Sequence, residues 1–362
     1  MKLYHIRPFD TVVFGENRGS VLGDDHEKGG KFPPEIMKLF NLGDVKFLGI
    51  FPLREREIFL PMPADVLTRR KSKRGPYYIP WLNSLSGLSF KTDLNRNLLP
   101  WTGVHDALER AGGYIPASSF FEEYIKVRSG RLHIDASKYT DGDLFKEEVR
   151  IGIAMDYSTG TVKESMLYTH VHYRLEYGFV VLVHKDGMGR PSIAPVGGER
   201  KVSRIGDFED EKFTKEAMKK ENIREGEIYK FYLTTHAFVD SELEPGSEIT
   251  IADAVNNEGD RIDMKVIWMY SAGAEWISGI ETRPGEDGMR RKPALYMLRP
   301  GTVFLLEAKG NGNLNRFSQI IAPINLNEND NGIDESRFIE RGWGSGIIWK
   351  VEDFESKKEV SK

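Results

Sequence analysis

Residues 150–183 read RIGIAMDYSTGTVKESMLYTHVHYRLEYGFVVLV, and this stretch decides the fold. Arg150 to Asp156 is rich in apolar and β-branched side chains and predicts a strand. Ser158-Thr159-Gly160 is turn chemistry, and Met166 to Tyr173 predicts a returning strand. Gly178 to Val183 is a short continuous apolar run, the pattern of a buried strand. Working outward, Lys2 to Arg7 predicts a strand that Pro8 interrupts and Thr11 to Phe14 resumes. Gly15 to Lys31 predicts a loop, and Pro33-Pro34-Glu35 opens a short helix to about Phe40. Lys46 to Leu60 predicts a hairpin around the charged Arg54 to Glu57.

Beyond residue 183, Phe213 to Glu221 is helical by composition. Ile228 to Val239, Met264 to Tyr270 and Thr302 to Ala308 predict strands. Asn311 to Asn331 predicts an asparagine-rich loop around a short apolar piece. The stretch 61–149 carries few long periodic segments and predicts a loop-heavy insertion. Strands outnumber helices, so the class is α+β rather than doubly wound. Each half ends on a glycine-rich turn, Gly197-Gly198 in one and Gly342 to Gly346 in the other. That order predicts two related units: 1–205, carrying the insertion at about 61–149, and 206–362.

The composition excludes several chemistries. The chain has 362 residues, 51 Lys and Arg, 55 Asp and Glu, a net charge of -4 and no cysteine. Disulfide frameworks, thiolate zinc sites and cysteine nucleophiles are therefore absent. A near-neutral total leaves nucleic-acid binding to a local patch. Residues 1–14 lack the apolar core and cleavage site of a signal peptide, and no window is long and apolar enough to span a bilayer. The expectation is a soluble, cytoplasmic protein.

Familiar catalytic signatures fail. Gly30-Lys31 lacks the earlier glycine and the hydroxyl residue of a phosphate-binding loop. Gly310-Asn311-Gly312 meets Asn315 where a dinucleotide fingerprint needs its third glycine. Asn327 to Gly332 lacks the carboxylates of a calcium loop at its first and last positions. Three patterns survive. Tyr168, His170 and His172 share one strand face, fit for general acid–base work, for stacking on a nucleotide, or for an ordinary half-exposed face. Arg69, Arg70, Lys71, Lys73 and Arg74 place five cations in six residues, followed by Tyr77, Tyr78 and Trp81. Cations interleaved with aromatics suit a phosphate-binding loop with stacking partners, or a solvated loop. Arg341-Gly342-Trp343-Gly344-Ser345-Gly346 alternates glycines before an apolar strand. It would either offer N–H groups to a phosphate backbone or make a tight turn.

Together these blocks resemble the RAMP superfamily of CRISPR RNA-binding proteins, and within it the third subunit of the Cmr (type III-B) RNA-guided effector complex. The resemblance rests on Arg7-Pro8-Phe9-Asp10, Phe32-Pro33-Pro34, Leu60 to Asp65, Arg150 to Ile153 with Thr159-Gly160-Thr161, Gly197 to Arg200, Pro300 to Phe304, and Gly342 to Gly346. It implies two fused ferredoxin-like (RRM-like) units and no catalytic, cofactor or metal role. It implies binding of the repeat-derived 5′ handle of the guide RNA, with the large polymerase-like subunit and a neighbouring backbone RAMP subunit as protein partners and no membrane. On that resemblance Gly197, Gly198, Arg200, Lys201, Gly342, Gly344 and Gly346 meet the handle backbone. Arg150, Lys163 and His170 lie on or near a hairpin facing RNA, and Arg69 to Arg74 reach guide or target. Two other readings stay open: a metal-independent RAMP endoribonuclease using His170 or His172, and a scaffold that contacts only protein.

Overall fold

The computed structural model describes residues 1–10, 19–20, 47–70, 76–84, 98–101, 107–127, 130–132, 144–156, 158–159, 161–184, 193–196, 201–238, 243–254, 259–277, 280–282, 289–291, 295–322 and 342–351. The fold is mostly β, with few helices. Seven strands build the first sheet in the order Tyr114–Pro116, Glu57–Pro61, Phe47–Arg54, Phe179–Val183, Lys2–Pro8, Lys201–Phe208 and Ile193–Val196. Every neighbouring pair in it is antiparallel. The expected hairpin at 46–60 is there, turning through Glu55 at a positive φ of 56°. The last long strand runs on to Phe208, past residue 205.

The middle of this sheet is buried on both faces, which is why Phe179–Val183 is apolar without alternation. Leu3, Val180, Leu182 and Phe51 enter one core cluster, while Tyr4, Ile6, Phe179 and Val181 are buried against the opposite side. On the first of these faces cover fades along the strand: Leu3 is buried, His5 half-buried and Arg7 exposed. Lys146–Asp156 and Thr161–Arg174 form a long hairpin, as the sequence predicts, with a register shift between Ile153 and Met155. The predicted helix at 33–40 and the resumed strand at 11–14 lie outside the described residues.

The second half closes on itself. Ile228–Leu233, Val303–Ala308, Arg261–Tyr270, Glu248–Asp253, Phe317–Ala322 and Ser345–Lys350 form a closed six-stranded barrel. Phe231, Phe304, Ile251, Met264, Leu306 and Ile348 fill its interior cluster. Tyr232, Val303, Ile347 and Trp349 instead join the core cluster of the first sheet. Alternation along the barrel strands thus serves two cores. Where the sequence leads one to expect a second ferredoxin-like unit, the described residues show this barrel.

Three local expectations change. The helix is Glu211–Ala217, not Phe213 to Glu221, because Lys220–Ile223 leaves it to pair with Gly312–Asn315 and buries Ile223. Asp210 caps that helix by accepting from the Phe213 N–H at 2.8 Å. The asparagine-rich segment contains strands Gly312–Asn315 and Phe317–Ala322, since Asn315 is buried and donates to Asp253 Oδ1 at 3.0 Å. The region 61–149 holds several short strands and a buried Phe120–Tyr124 turn.

That turn and the short helix join the halves. Phe120 meets Tyr232 at 4.8 Å and Trp349 at 6.0 Å between ring centroids. Phe213 meets Phe51 of the sheet at 5.9 Å and Phe317 of the barrel at 6.4 Å. Polar contacts cross the same seam: Tyr232 OH donates to Pro61 O at 2.7 Å, and Lys230 Nζ lies 2.5 Å from Asp65 Oδ2. Asp65 is 0% exposed and also accepts from Tyr124 OH at 2.6 Å. Burial, with Asp65 beside it, pushes the Tyr124 phenol well up, which keeps it a hydrogen-bond donor.

Candidate nucleic-acid interface

Strand Lys2–Pro8 leaves the core at Arg7 and is followed by Phe9 and Asp10. Phe9 keeps the ladder going for one more step, its N–H donating to Val202 O at 3.1 Å. Asp10 faces the long hairpin: its Oδ1 lies 3.5 Å from Arg174 Nη2 and 3.8 Å from Arg150 Nη2. Glu148, two residues before Arg150, takes the same two guanidiniums. The Arg174 guanidinium, then that of Arg150, draws the Glu148 carboxyl down to about 2. The hairpin base is thereby fixed to the open end of the first sheet.

This arrangement brings two of the sequence-predicted residues to one place. Arg150 reaches it through Asp10, and Lys201 begins the strand whose next residue, Val202, holds Phe9. His170 is directly opposite Arg150 in the hairpin ladder, and Lys163 lies on the same strand. His172, opposite Glu148, is 2% exposed, which removes it from acid–base work at a surface. Gly197, Gly198 and Arg200 lie outside the described residues, in the segment between Val196 and Lys201.

Arg69 and Arg70 are exposed at the end of strand Leu67–Arg69, where Arg69 pairs with Leu108 and the Arg70 N–H donates to Ala107 O at 3.0 Å. They belong to a separate four-stranded sheet rather than to the first sheet. Lys71, Lys73 and Arg74 lie outside the described residues.

Gly342, Gly344 and Gly346 stand elsewhere again, in the barrel wall, and all three are buried. Their turn is internally satisfied: Gly344 N–H donates to His236 O at 2.8 Å and Ser345 N–H to Gly342 O at 3.3 Å. Gly342 and Gly344 have φ of 88° and 76°, which other residues adopt only at a cost. A Cβ on Gly346 would sit 2.4 Å from Tyr232 O. The glycines are required here by the closure of the barrel, and the Gly344 amide faces a carbonyl of this chain.

What the sequence reading misses is Arg7, Phe9 and Arg204 as exposed members of the open end. Arg7-Pro8-Phe9-Asp10 is visible in the sequence as a block, but its exposure follows from where the core stops. Among the described residues no group of three or more His, Asp or Glu side chains could hold a metal ion. No described helix is long and apolar enough to cross a membrane.

Comparison with known proteins agrees with the resemblance read from the sequence. No curated protein matches the chain. Two solved structures to which it is similar are the Type III-B Cmr-beta complex bound to cognate target RNA and the same complex bound to cognate target RNA and AMPPnP. In each, one chain matches with 14% identity and a TM-score of 0.42, over 84% of this chain and 86% of that one. The family described as CRISPR-associated protein (Cas_Cmr3) matches residues 4–350. The chain belongs to the Cas_Cmr3 family of CRISPR-associated proteins.

Proposed function

We propose that this chain is the subunit that holds the repeat-derived 5′ handle of the guide RNA, without a reaction of its own. It would work beside the large signal-producing subunit and a neighbouring backbone RAMP subunit, in interference against RNA targets. Family membership over residues 4–350 carries the assembly part of this reading. The RNA part is supported by the open end of the first sheet, which Arg150 reaches through Asp10 and where the strand Lys201–Phe208 begins. An unchanging RNA end calls for shape and backbone contacts and for splayed bases, rather than base-edge reading. Target sequence would be read by pairing to the guide.

A finer architectural reading goes with it. Four strands of the first sheet stand in the order Phe47–Arg54, Phe179–Val183, Lys2–Pro8 and Lys201–Phe208. Numbered along the chain that is 2-3-1-4, the strand order of a ferredoxin-like unit, with the other three strands added at its flanks. The first unit is therefore read as an elaborated ferredoxin-like sheet.

Filter binding of the full chain, together with the large subunit, to guide RNAs with intact, scrambled or deleted handles tests the function. Tight binding only to the intact handle, weakening with salt and leaving the RNA uncut, is expected. Equal binding to all three, or cleavage within the repeat, overturns the proposal.

A further inference from the structure

Two cross-strand rows at the open end of the first sheet have no role so far. Arg7 is directly opposite Arg204, and Arg204 is directly opposite Ile193. One step further along the same face, Phe9 faces Val202, and Val202 faces Pro195. Side chains two apart on a strand share a face, so the two rows lie side by side about 7 Å apart. Phe9 is 65% exposed, Ile193 57% and Val202 50%. These are three of the seven exposed large apolar side chains among the described residues, gathered on one face. Scattered apolar residues need no explanation, but a group beside cations does.

The cationic row carries the second observation. Like charges directly opposite one another across a strand pair are unfavourable. Arg7 and Arg204 are both exposed, and neither makes an ion pair with a described residue. The Arg150 and Arg174 guanidiniums nearby, by contrast, share Glu148 and Asp10. Two exposed guanidiniums set opposite each other, with no ion-pair partner among the described residues, fit an anion supplied from outside, and the planar fork suits phosphate oxygens. Next to it lies an aromatic and aliphatic platform of the kind on which bases stack.

We infer that this end of the sheet is a subsite for one unpaired nucleotide of single-stranded RNA, its base on Phe9 and Val202 and its flanking phosphates on Arg7 and Arg204. The subsite rests on the RNA-binding reading above and assigns residues to it. Stacking tolerates any base, so the subsite holds a splayed nucleotide without selecting its identity.

The test uses the full chain with the large subunit and a handle-bearing guide RNA substituted with 4-thiouridine. Crosslinking is expected to map to Phe9. Phe9→Ala should weaken RNA binding about tenfold, Phe9→Tyr should restore it, and Met218→Ala, at an exposed apolar position elsewhere, should leave it unchanged. Arg7→Gln and Arg204→Gln should each flatten the log–log salt dependence by about 0.7. If wild-type chain binds and Phe9→Ala binds as well, the subsite is wrong while the RNA-binding reading stands. If wild-type chain binds no RNA, both fall. If Phe9→Ala leaves RNA binding intact but releases the large subunit, the face is a protein contact and the inference is overturned.

Discussion

The two halves of this chain use antiparallel strands to opposite ends. The barrel joins its last strand to its first, so no edge is left and its glycine-rich turn is sealed inside. The first sheet stays open, and its core cover runs out between His5 and Arg7. The turn at Gly342 to Gly346 is buried and serves packing, while Arg7, Phe9, Val202 and Arg204 present exposed side chains. A closed element makes a rigid support, and an open one presents side chains to a ligand.

The comparison depends on the two halves being one body, and Lys230 tests that most strongly. Lys230 is a barrel residue that reaches across to Asp65 and lies over the Tyr124 ring at 5.3 Å. Its side chain is 12% exposed. Lys230→Met leaves the Asp65 carboxylate buried with only the Tyr124 hydroxyl, and should cost about 3–5 kcal/mol in denaturant unfolding. Asp65→Asn combined with Lys230→Met should recover most of the loss, because the amide oxygen still accepts from Tyr124 while no charge remains. A single variant as stable as wild type would mean that the seam is held by its aromatic contacts alone.

Glycine substitutions separate the sealed half from the open one. In Gly346→Ala the new methyl would lie 2.4 Å from Tyr232 O and 2.6 Å from the Phe231 ring. The carbonyl cannot move without disturbing the barrel ladder, so a loss of about 1–3 kcal/mol is expected. Gly206 lies on the strand of Arg204, and a Cβ there meets nothing within 4 Å. Gly206→Ala should gain about 0.4–1 kcal/mol by restricting the unfolded chain. Thermal melts of the two variants that shift by the same amount and in the same direction would contradict the contrast.

Legibility in the sequence follows the same division. The long hairpin, the hairpin at 46–60 and the buried run Phe179–Val183 are readable because period and turn chemistry are local. Barrel closure is not, since it depends on Ser345–Lys350 pairing back to Ile228–Leu233, more than a hundred residues earlier. For the same reason the glycines at 342–346 are visible as a pattern but not as buried. Gly312–Asn315 reads as loop because its asparagines are polar, yet Asp253 supplies a buried partner for Asn315. Of the candidate site, Arg150 and Lys201 are legible as cations near strand ends. Arg7, Phe9 and Arg204 become distinctive only once the register sets them in rows.

The smallest expected effect is a difference in which pH limit each half feels. On the sheet side, Arg174 and Arg150 hold Glu148 down to about 2. A carboxylate depressed in the folded state contributes fully above its unfolded value of about 4.3, and that contribution is lost as pH falls towards 2. On the barrel side, burial first, with Glu227 close by, pushes Tyr229 up to about 12. Its hydroxyl donates to Glu227 Oε2 at 2.9 Å and accepts from the Arg224 N–H at 2.9 Å. A phenol raised in the folded state contributes fully below its unfolded value of about 10, and the contribution is lost as pH rises towards 12. The hairpin base should therefore loosen only in strong acid and the barrel end only in strong alkali. Carboxyl NMR should place the Glu148 midpoint near 2, and phenolate absorbance should show a late component that Tyr229→Phe removes. A Glu148 midpoint near 4.3 would mean that its two arginines are free in solution, and the hairpin base would then share the openness of the face beside it.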